Sequence, residues 1–144
     1  MTEANNSFST QLTLKAEIVT PESAFYLKNV HMIVMPGSRG ELGVLPGHVS
    51  LLVCLQAGLV TIYDHNMQIL DRIFIAGGFA EVTEKSATLL VEKAGYLADY
   101  NLENTLKQLT ELNENLNFCK DESETILTKK DIQFTEALLA ALKL

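Results

Sequence analysis

An N-terminal antiparallel β-sandwich followed by a C-terminal antiparallel two-helix hairpin is the fold class that this sequence predicts. From Gln11 to about Tyr96, short apolar segments alternate with turn residues at intervals of about 8 to 12 residues, the spacing of a sandwich or barrel. After Tyr100 the apolar residues recur instead at helical spacing. The chain of 144 residues suits one compact domain with an appendage, large enough to bury roughly two thirds of its unfolded surface. The expected division is a sandwich over residues 1–96 and a hairpin over 97–144.

The candidate strands run from Leu12 to Thr20, Ala24 to Leu27, Val30 to Met35, Gly40 to Leu45, Leu51 to Leu55, Leu59 to Asp64, Gln68 to Ile75, Phe79 to Thr83 and Ala87 to Glu92. Pro21, Pro36-Gly37, Pro46-Gly47, Gly58 and Gly77-Gly78 punctuate them. Proline offers no donor to a ladder and glycine reaches backbone angles that other residues avoid, so strands end there. Asp64-His65-Asn66 reads as a hairpin turn. Two stretches are apolar on both faces: Val30, Met32 and Val34 alternate with Ile33 and Met35, and Leu70 and Phe74 with Ile69, Ile73 and Ile75. A free sandwich shows polar outer faces, so docking of these strands on another protein is expected.

Leu102, Leu106, Leu109, Leu112 and Leu116 form the stripe of a first helix, with Asn101 or Asp99 as N-cap. A polar break at Asn117 to Lys120 leads to Asp121, with Glu124 three residues on, a start of the capping-box kind. Leu127, Phe134, Leu138 and Leu142 then share the stripe of a second helix. Neither helix contains Gly or Pro, so both are expected to be continuous.

A hydrophobic share of 47% with 20% charged residues is ordinary for a globular chain. The net charge of -7 argues against nucleic acid, whose phosphates need clustered Lys and Arg. The first residues, Met1 to Ser7, lack the basic start and apolar stretch of a secretory signal, so a cytoplasmic location is expected. The densest apolar run, Leu51 to Leu55, falls far short of the roughly 18 residues of a spanning helix, and any membrane contact is expected through a partner. Cys54 and Cys119 form no ligand pair and read as reduced structural thiols.

No converging set of catalytic groups stands out. His31, His48 and His65 lie in unlike local contexts, and no metal, nucleophile or phosphate-loop motif accompanies them. Cys54 beside His48 could form a thiol-base pair, but a thiol inside an apolar run is normally inert packing. Gly37 to Gly43 is rich in glycine without the Lys-Ser/Thr of a phosphate cradle. On spacing alone His48 is a loop histidine bonded to nearby backbone and Glu41 a solvated turn acid. Catalytic, cofactor and metal residues are all expected to be absent.

Four motifs in order carry a family likeness: Ile18-Val19-Thr20-Pro21; Gly40-Glu41-Leu42-Gly43-Val44-Leu45-Pro46-Gly47-His48; Leu55 with Gly58; and Gly77-Gly78-Phe79-Ala80-Glu81-Val82. Through them the chain resembles the epsilon subunits of bacterial F-type ATP synthases, equivalent to the mitochondrial delta subunit. The resemblance implies a ten-stranded sandwich and a helical hairpin in a non-catalytic part of the rotor, peripheral to the cytoplasmic face of the bacterial inner membrane. The sandwich would bind the gamma subunit by an apolar face and rest on the ring of c subunits by an edge carrying Glu41 and His48. Gly40, Gly43, Pro46, Gly47, Gly77 and Gly78 would be its turn residues.

In the same family the second helix inhibits hydrolysis through basic side chains that meet the alpha and beta subunits. Lys129 and Lys130 would have to serve here, yet residues 101–144 hold no Arg, and five Lys stand against eight acids, a net of -3. The resemblance therefore implies weak inhibition. Some members bind ATP through an Ile or Leu followed by Asp, then Arg three residues later and Ala; the matching stretch here, Leu102 to Lys107, has Leu106 and Lys107 where Arg and Ala belong. A nucleotide-sensing module of the same complex and a free-standing ligand-binding sandwich are the alternatives.

Overall fold

The structure is a computed structural model and describes residues 12–143. Its strands are β1 (Leu14–Val19), β2 (Ala24–Val30), β3 (Met32–Gly37), β4 (Gly40–Val44), β5 (Leu51–Leu55), β6 (Gly58–Tyr63), β7 (Ile69–Ile75), β8 (Gly78–Val82), β9 (Ser86–Val91) and β10 (Ala94–Tyr96). A 3₁₀ turn, Leu97–Asp99, leads to helices α1 (Leu102–Leu116) and α2 (Glu122–Leu142). The strands form one folded-over sheet in the order β10-β7-β6-β3-β5-β8-β9-β1-β2, with β4 paired to β3. All neighbours are antiparallel except β1 and β9.

Alternation of side chains fills the interior. Leu14, Ala16 and Ile18 of β1, Val60 and Ile62 of β6, Ala80 and Val82 of β8, and Ala87, Leu89 and Val91 of β9 all point into one cluster, with polar neighbours such as Lys15 turned outward. The two layers join at β3, whose Met32 to Val34 pair with β6 while Gly37 pairs with Leu55 of β5. The opposite side is shut by side chains: the Tyr26 hydroxyl donates to Asp71 Oδ2 at 2.7 Å, Lys28 Nζ lies 3.3 Å from the same oxygen, and Phe25 packs on Tyr96 with ring centroids 5.2 Å apart.

Three expectations are corrected. The second strand continues beyond Leu27 to Val30, and the break is His31 alone, whose N–H donates to the Tyr63 carbonyl at 3.0 Å. β2 pairs only with β1, so its polar Lys28 and Asn29 can face solvent without breaking it. β10 was absent from the pattern because three residues centred on Gly95 carry no alternation; pairing with Ile73 to Ile75 holds it. The doubly apolar β7 is covered from within over its second half: Phe74 is fully buried, its ring meeting Phe134 of α2 edge-on at 5.1 Å, while Ile69 and Leu70 at its start are exposed.

The helices cap as their sequence indicates. Asn101 accepts from the N–H groups of Glu103 and Asn104 at 2.8 and 3.3 Å, and Asp121 from Glu124 at 2.8 Å. The Glu124 carboxylate reaches back to the N–H of Lys120, one residue earlier than a regular capping box. The expected stripes hold over most of their length and are corrected at their N-terminal ends. In α1 Leu109, Leu112 and Leu116 are half-buried and Thr105 is buried, whereas Leu102 and Leu106 are exposed. In α2 Phe134, Leu138 and Leu142 turn inward together with Thr125, Thr128, Ile132, Thr135 and Leu139, while Leu127 is exposed. Threonine reads as polar in a hydrophobic pattern, but Thr105 and Thr135 donate to the carbonyls of Asn101 and Asp131, each at 2.7 Å, and so lie buried with their hydroxyls satisfied.

Burial and then the bond to Asp71 push the Tyr26 phenol far above its ordinary range. The folded state thus holds that proton more tightly than the unfolded chain. Its contribution to stability is complete below about pH 10 and is lost as pH rises beyond it. Tyr26→Phe is expected to lower stability by about 1–2 kcal/mol at pH 7, with the wild type and variant converging near pH 11. Urea melts at both pH values check this; a constant difference between the two proteins would refute it.

Candidate functional site

The outer face of β5, β8, β9, β1 and β2 carries exposed apolar side chains among the described residues. Cross-strand register builds it in rows. Cys54 lies opposite Phe79, Phe79 opposite Leu90, and Leu90 opposite Val19, giving an apolar line across four strands. Beside it, Leu52 faces Glu81, Glu81 faces Thr88, Thr88 faces Glu17, and Glu17 faces Leu27. Leu52 is 72% and Phe79 48% exposed, and Leu27 and Leu90 are exposed with them. Large apolar side chains set in a contiguous exposed sheet face mark an interaction surface.

Cys54 is therefore exposed on this face and not buried in packing as expected. Cys119 is half-buried at the hairpin tip, its thiol donating to the Asn115 carbonyl at 3.4 Å. The face could have been found from sequence by applying the doubly apolar test to Leu51 to Leu55, where Leu52 and Cys54 interleave with Leu51, Val53 and Leu55.

The glycine motif occupies another part of the surface. Glu41 is exposed near the start of β4, opposite Pro36. His48 follows the far end of β4, its Nδ1 2.8 Å from the Val49 carbonyl oxygen. The two side chains share no hydrogen bond or ion pair among the described residues. Gly47, at φ +87°, donates its N–H to the Glu84 carbonyl at 2.7 Å, which ties the Pro46-Gly47-His48 loop to the β8–β9 turn. Gly40 turns the β3–β4 hairpin at φ 129°, and Gly43 pairs with Val34. Gly77 and Gly78 open β8 at φ +103° and +148°; a Cβ on Gly78 would overlap the Leu90 carbonyl, so only glycine fits.

A cleft of about 370 Å³ separates α2 from the sandwich, lined by Gln56, Gly77, Lys93, Lys130, Asp131 and Phe134, among others. Lys93 pairs with Asp131 at 3.0 Å and lies 5.4 Å from the centroid of the Phe134 ring. Burial raises the nearby Tyr100 phenol, against the opposing pull of Lys93. Lys130 faces this cleft, whereas Lys129 lines a separate hollow with Cys119 and Asp121 at the hairpin tip. Among the described residues no group of three or more His, Cys, Asp or Glu could hold a metal ion. No helix among them is long and apolar enough to cross a membrane.

Residues 13–96 match the family model of the ATP synthase delta/epsilon chain β-sandwich domain. The chain is similar to the ATP synthase epsilon chain of Granulibacter bethesdensis, 42% identical over 95 residues that span 66% of this chain and 70% of that one. To that of Rhodospirillum rubrum it is 36% identical over 131 residues, 91% of this chain and 97% of the relative. In fold it resembles a chain in the cryo-EM structure of the Euglena gracilis mitochondrial ATP synthase OSCP/F1/c-ring assembly, with a TM-score of 0.74 and 24% identity over 90% of this chain and 81% of that one. A chain of the Tetrahymena thermophila mitochondrial ATP synthase central stalk/c-ring matches with a TM-score of 0.60 and 14% identity, over 90% and 96%.

The contacts of Phe134 are the main apolar tie between α2 and β7, and the exposed Lys93–Asp131 pair adds little to them. Phe134→Ala is expected to loosen the hairpin by about 1–3 kcal/mol, raising amide exchange along α2 while β1 and β9 stay protected. Lys93→Ala is expected to change it by less than about 1 kcal/mol. Equal effects of the two substitutions on exchange would contradict this ranking.

Proposed function

Because the chain belongs to the ATP synthase delta/epsilon chain family, a family of subunits of that complex, we propose that it is a non-catalytic part of the rotor that couples rotation of the c-subunit ring to the gamma subunit and so to ATP synthesis. The observation that carries this reading is the Cys54-Phe79-Leu90-Val19 row, an apolar face that the chain's own helices leave bare. It suits a permanent partner, for which interfaces of about 1,600 Å² or more are usual. We assign gamma to this face. The c ring is assigned to the part of the sandwich that carries Glu41 and His48, and the membrane is met only through the complex. The resolved-structure neighbours support the assignment in that their assemblies are a c-ring and a central stalk.

The protein's part in such a machine is mechanical. Torque passes through a body only as stiff as its closure, and the continuous sheet with its side-chain seam supplies that stiffness. The helices carry regulation at most. Lys129 and Lys130 face different hollows, and the net of -3 over residues 101–144 opposes approach to acidic surfaces of the alpha and beta subunits. Inhibition of hydrolysis is accordingly weak.

Co-purification with the cognate gamma subunit and size-exclusion chromatography of the pair tests the docking face. A stable 1:1 complex is expected, weakened at least about a hundredfold by Phe79→Asp with Leu90→Asp. Glu41→Lys with His48→Glu should leave that complex intact and reduce proton-coupled synthesis in membranes. Separate elution of the unmodified pair at micromolar concentration would remove the stalk reading, and normal coupling by the charge-reversed variant would remove the ring assignment.

Deletion of the chain beyond Tyr100 is expected to raise the hydrolysis rate of the assembled enzyme by less than about twofold, or about 0.4 kcal/mol of barrier. A rise of tenfold or more would show the hairpin to be a strong inhibitor.

A further inference from the structure

Two histidines far apart in sequence meet at one end of the sandwich. His31 is the single residue between β2 and β3, and His65 sits in the β6–β7 turn. Their ring centroids are 4.8 Å apart with planes inclined by 44°. The surrounding backbone is firmly placed: the His31 N–H donates to the Tyr63 carbonyl at 3.0 Å, and Asp64 Oδ1 accepts from the N–H groups of Asn66 and Gln68 at 2.8 and 2.9 Å.

The hydrogen bonds determine where the ring protons sit. His65 Nε2 is 3.0 Å from the Leu12 carbonyl oxygen, which can only accept, so that nitrogen carries hydrogen and the Nδ1 of the neutral ring holds a lone pair. His31 Nδ1 is buried without a partner among the described residues. A bare lone pair tolerates that position; an N–H there would be a buried donor with nothing to bond. The arrangement thus fits two neutral rings.

Leu12, Leu45 and Pro46 complete a groove of about 450 Å³ with the two rings. The charged groups on the elements that meet here are Lys15 and Glu17 on β1, Lys28 on β2, Arg39 and Glu41 around the β3–β4 hairpin, Asp64 in the β6–β7 turn, Asp71 and Arg72 on β7, and Glu84 and Lys85 in the β8–β9 turn. None of them lines the groove. Asp64 is engaged within its own turn, Asp71 by Tyr26 and Lys28, and Glu84 meets the loop through its backbone carbonyl.

We propose that His31 and His65 form an acid-operated latch, which holds the β2–β3 corner, the β6–β7 turn and the Leu45-Pro46 loop together while both rings are neutral and releases them when both are protonated. Imidazoles change charge between about pH 5 and 8. One added proton leaves a cation beside a neutral ring. The second sets two cations a ring's width apart in an apolar groove and places an N–H on the unpartnered Nδ1 of His31. The doubly charged state is favoured only when the rings separate, so falling pH opens the groove and rising pH closes it. The segment set free continues into Pro46-Gly47-His48. The latch is a property of the chain itself and does not depend on the rotor reading.

Nuclear magnetic resonance of the full chain carrying His48→Gln, which silences the remaining imidazole, tests this between about pH 8 and 5. The amides of Gly47, Val49 and Asn66 are expected to move together as the pH falls through this range, and adding His65→Gln should hold them still. Loop amides that stay still in the parent, or that still move with His65→Gln, overturn the proposal. Should that variant fail to fold, His31→Gln, which also leaves a single ring in the groove, decides the matter by the same readout.

Discussion

Closure of the sheet is the constraint on which the rest of the molecule depends. In the sheet order β2 and β10 are the end strands, and open edges expose unpaired backbone groups and leave one side of a core uncovered. The chain closes this side with side chains: Tyr26 on Asp71, Lys28 on the same carboxylate, and Phe25 against Tyr96. Tyr26 is central because its ring belongs to the apolar cluster while its hydroxyl reaches the opposite strand. The bond lies in a place poor in water, where a hydrogen bond to a carboxylate is strong and an unpaired hydroxyl is costly. Loss of that bond would leave Phe25 and Tyr96 to resist separation of the layers by themselves.

With the interior closed, the outer faces become the variable part. Two strands that are apolar on both sides meet different fates. β7 hides Phe74 beneath Phe134 of α2, so the second half of its outer apolar face is satisfied within the chain. β5 has no helix above it, and Leu52 and Cys54 remain exposed beside Phe79 and Leu90. The two faces have similar residues and differ in topology: the hairpin leaves the sheet after β10, beside β7, and its helices reach only that side. A single sandwich therefore offers one face to its own helices and leaves the other bare.

Most of the fold was legible because it rests on local chemistry. Pro46-Gly47 and Gly77-Gly78 mark turns whose backbone angles are positive at Gly47, Gly77 and Gly78, and Asn101 and Asp121 cap helices by bonds within one turn. What escaped was decided by contacts distant in sequence. β10 exists because Ile73 to Ile75 offer it a ladder, and nothing in Ala94-Gly95-Tyr96 announces a strand. The helix stripes were incomplete because a pattern counted in leucines passes over Thr105 and Thr135, which satisfy their hydroxyls on the helix's own carbonyls. His48 is the loop residue bonded to nearby backbone that its spacing indicates, whereas Glu41, read as a turn acid, is an exposed residue of β4 paired with Pro36; the row through Phe79 could be drawn only once the register of four strands was known.

The same physics makes the hairpin the less strongly held part of the molecule. Threonine contributes little apolar area to a helix face, and Thr105, Thr125, Thr128 and Thr135 hold inward positions on α1 and α2. Leu106, Ile126 and Leu127 on the helices and Phe118 in the loop between them are exposed. The sandwich has an apolar cluster drawn from nine strands, whereas of its large apolar residues α2 buries only Ile132, Leu138 and Leu139 and meets β7 through Phe134, with an exposed ion pair beside it. Local opening follows the sparsest apolar contacts, so the helices are expected to open before the sheet does.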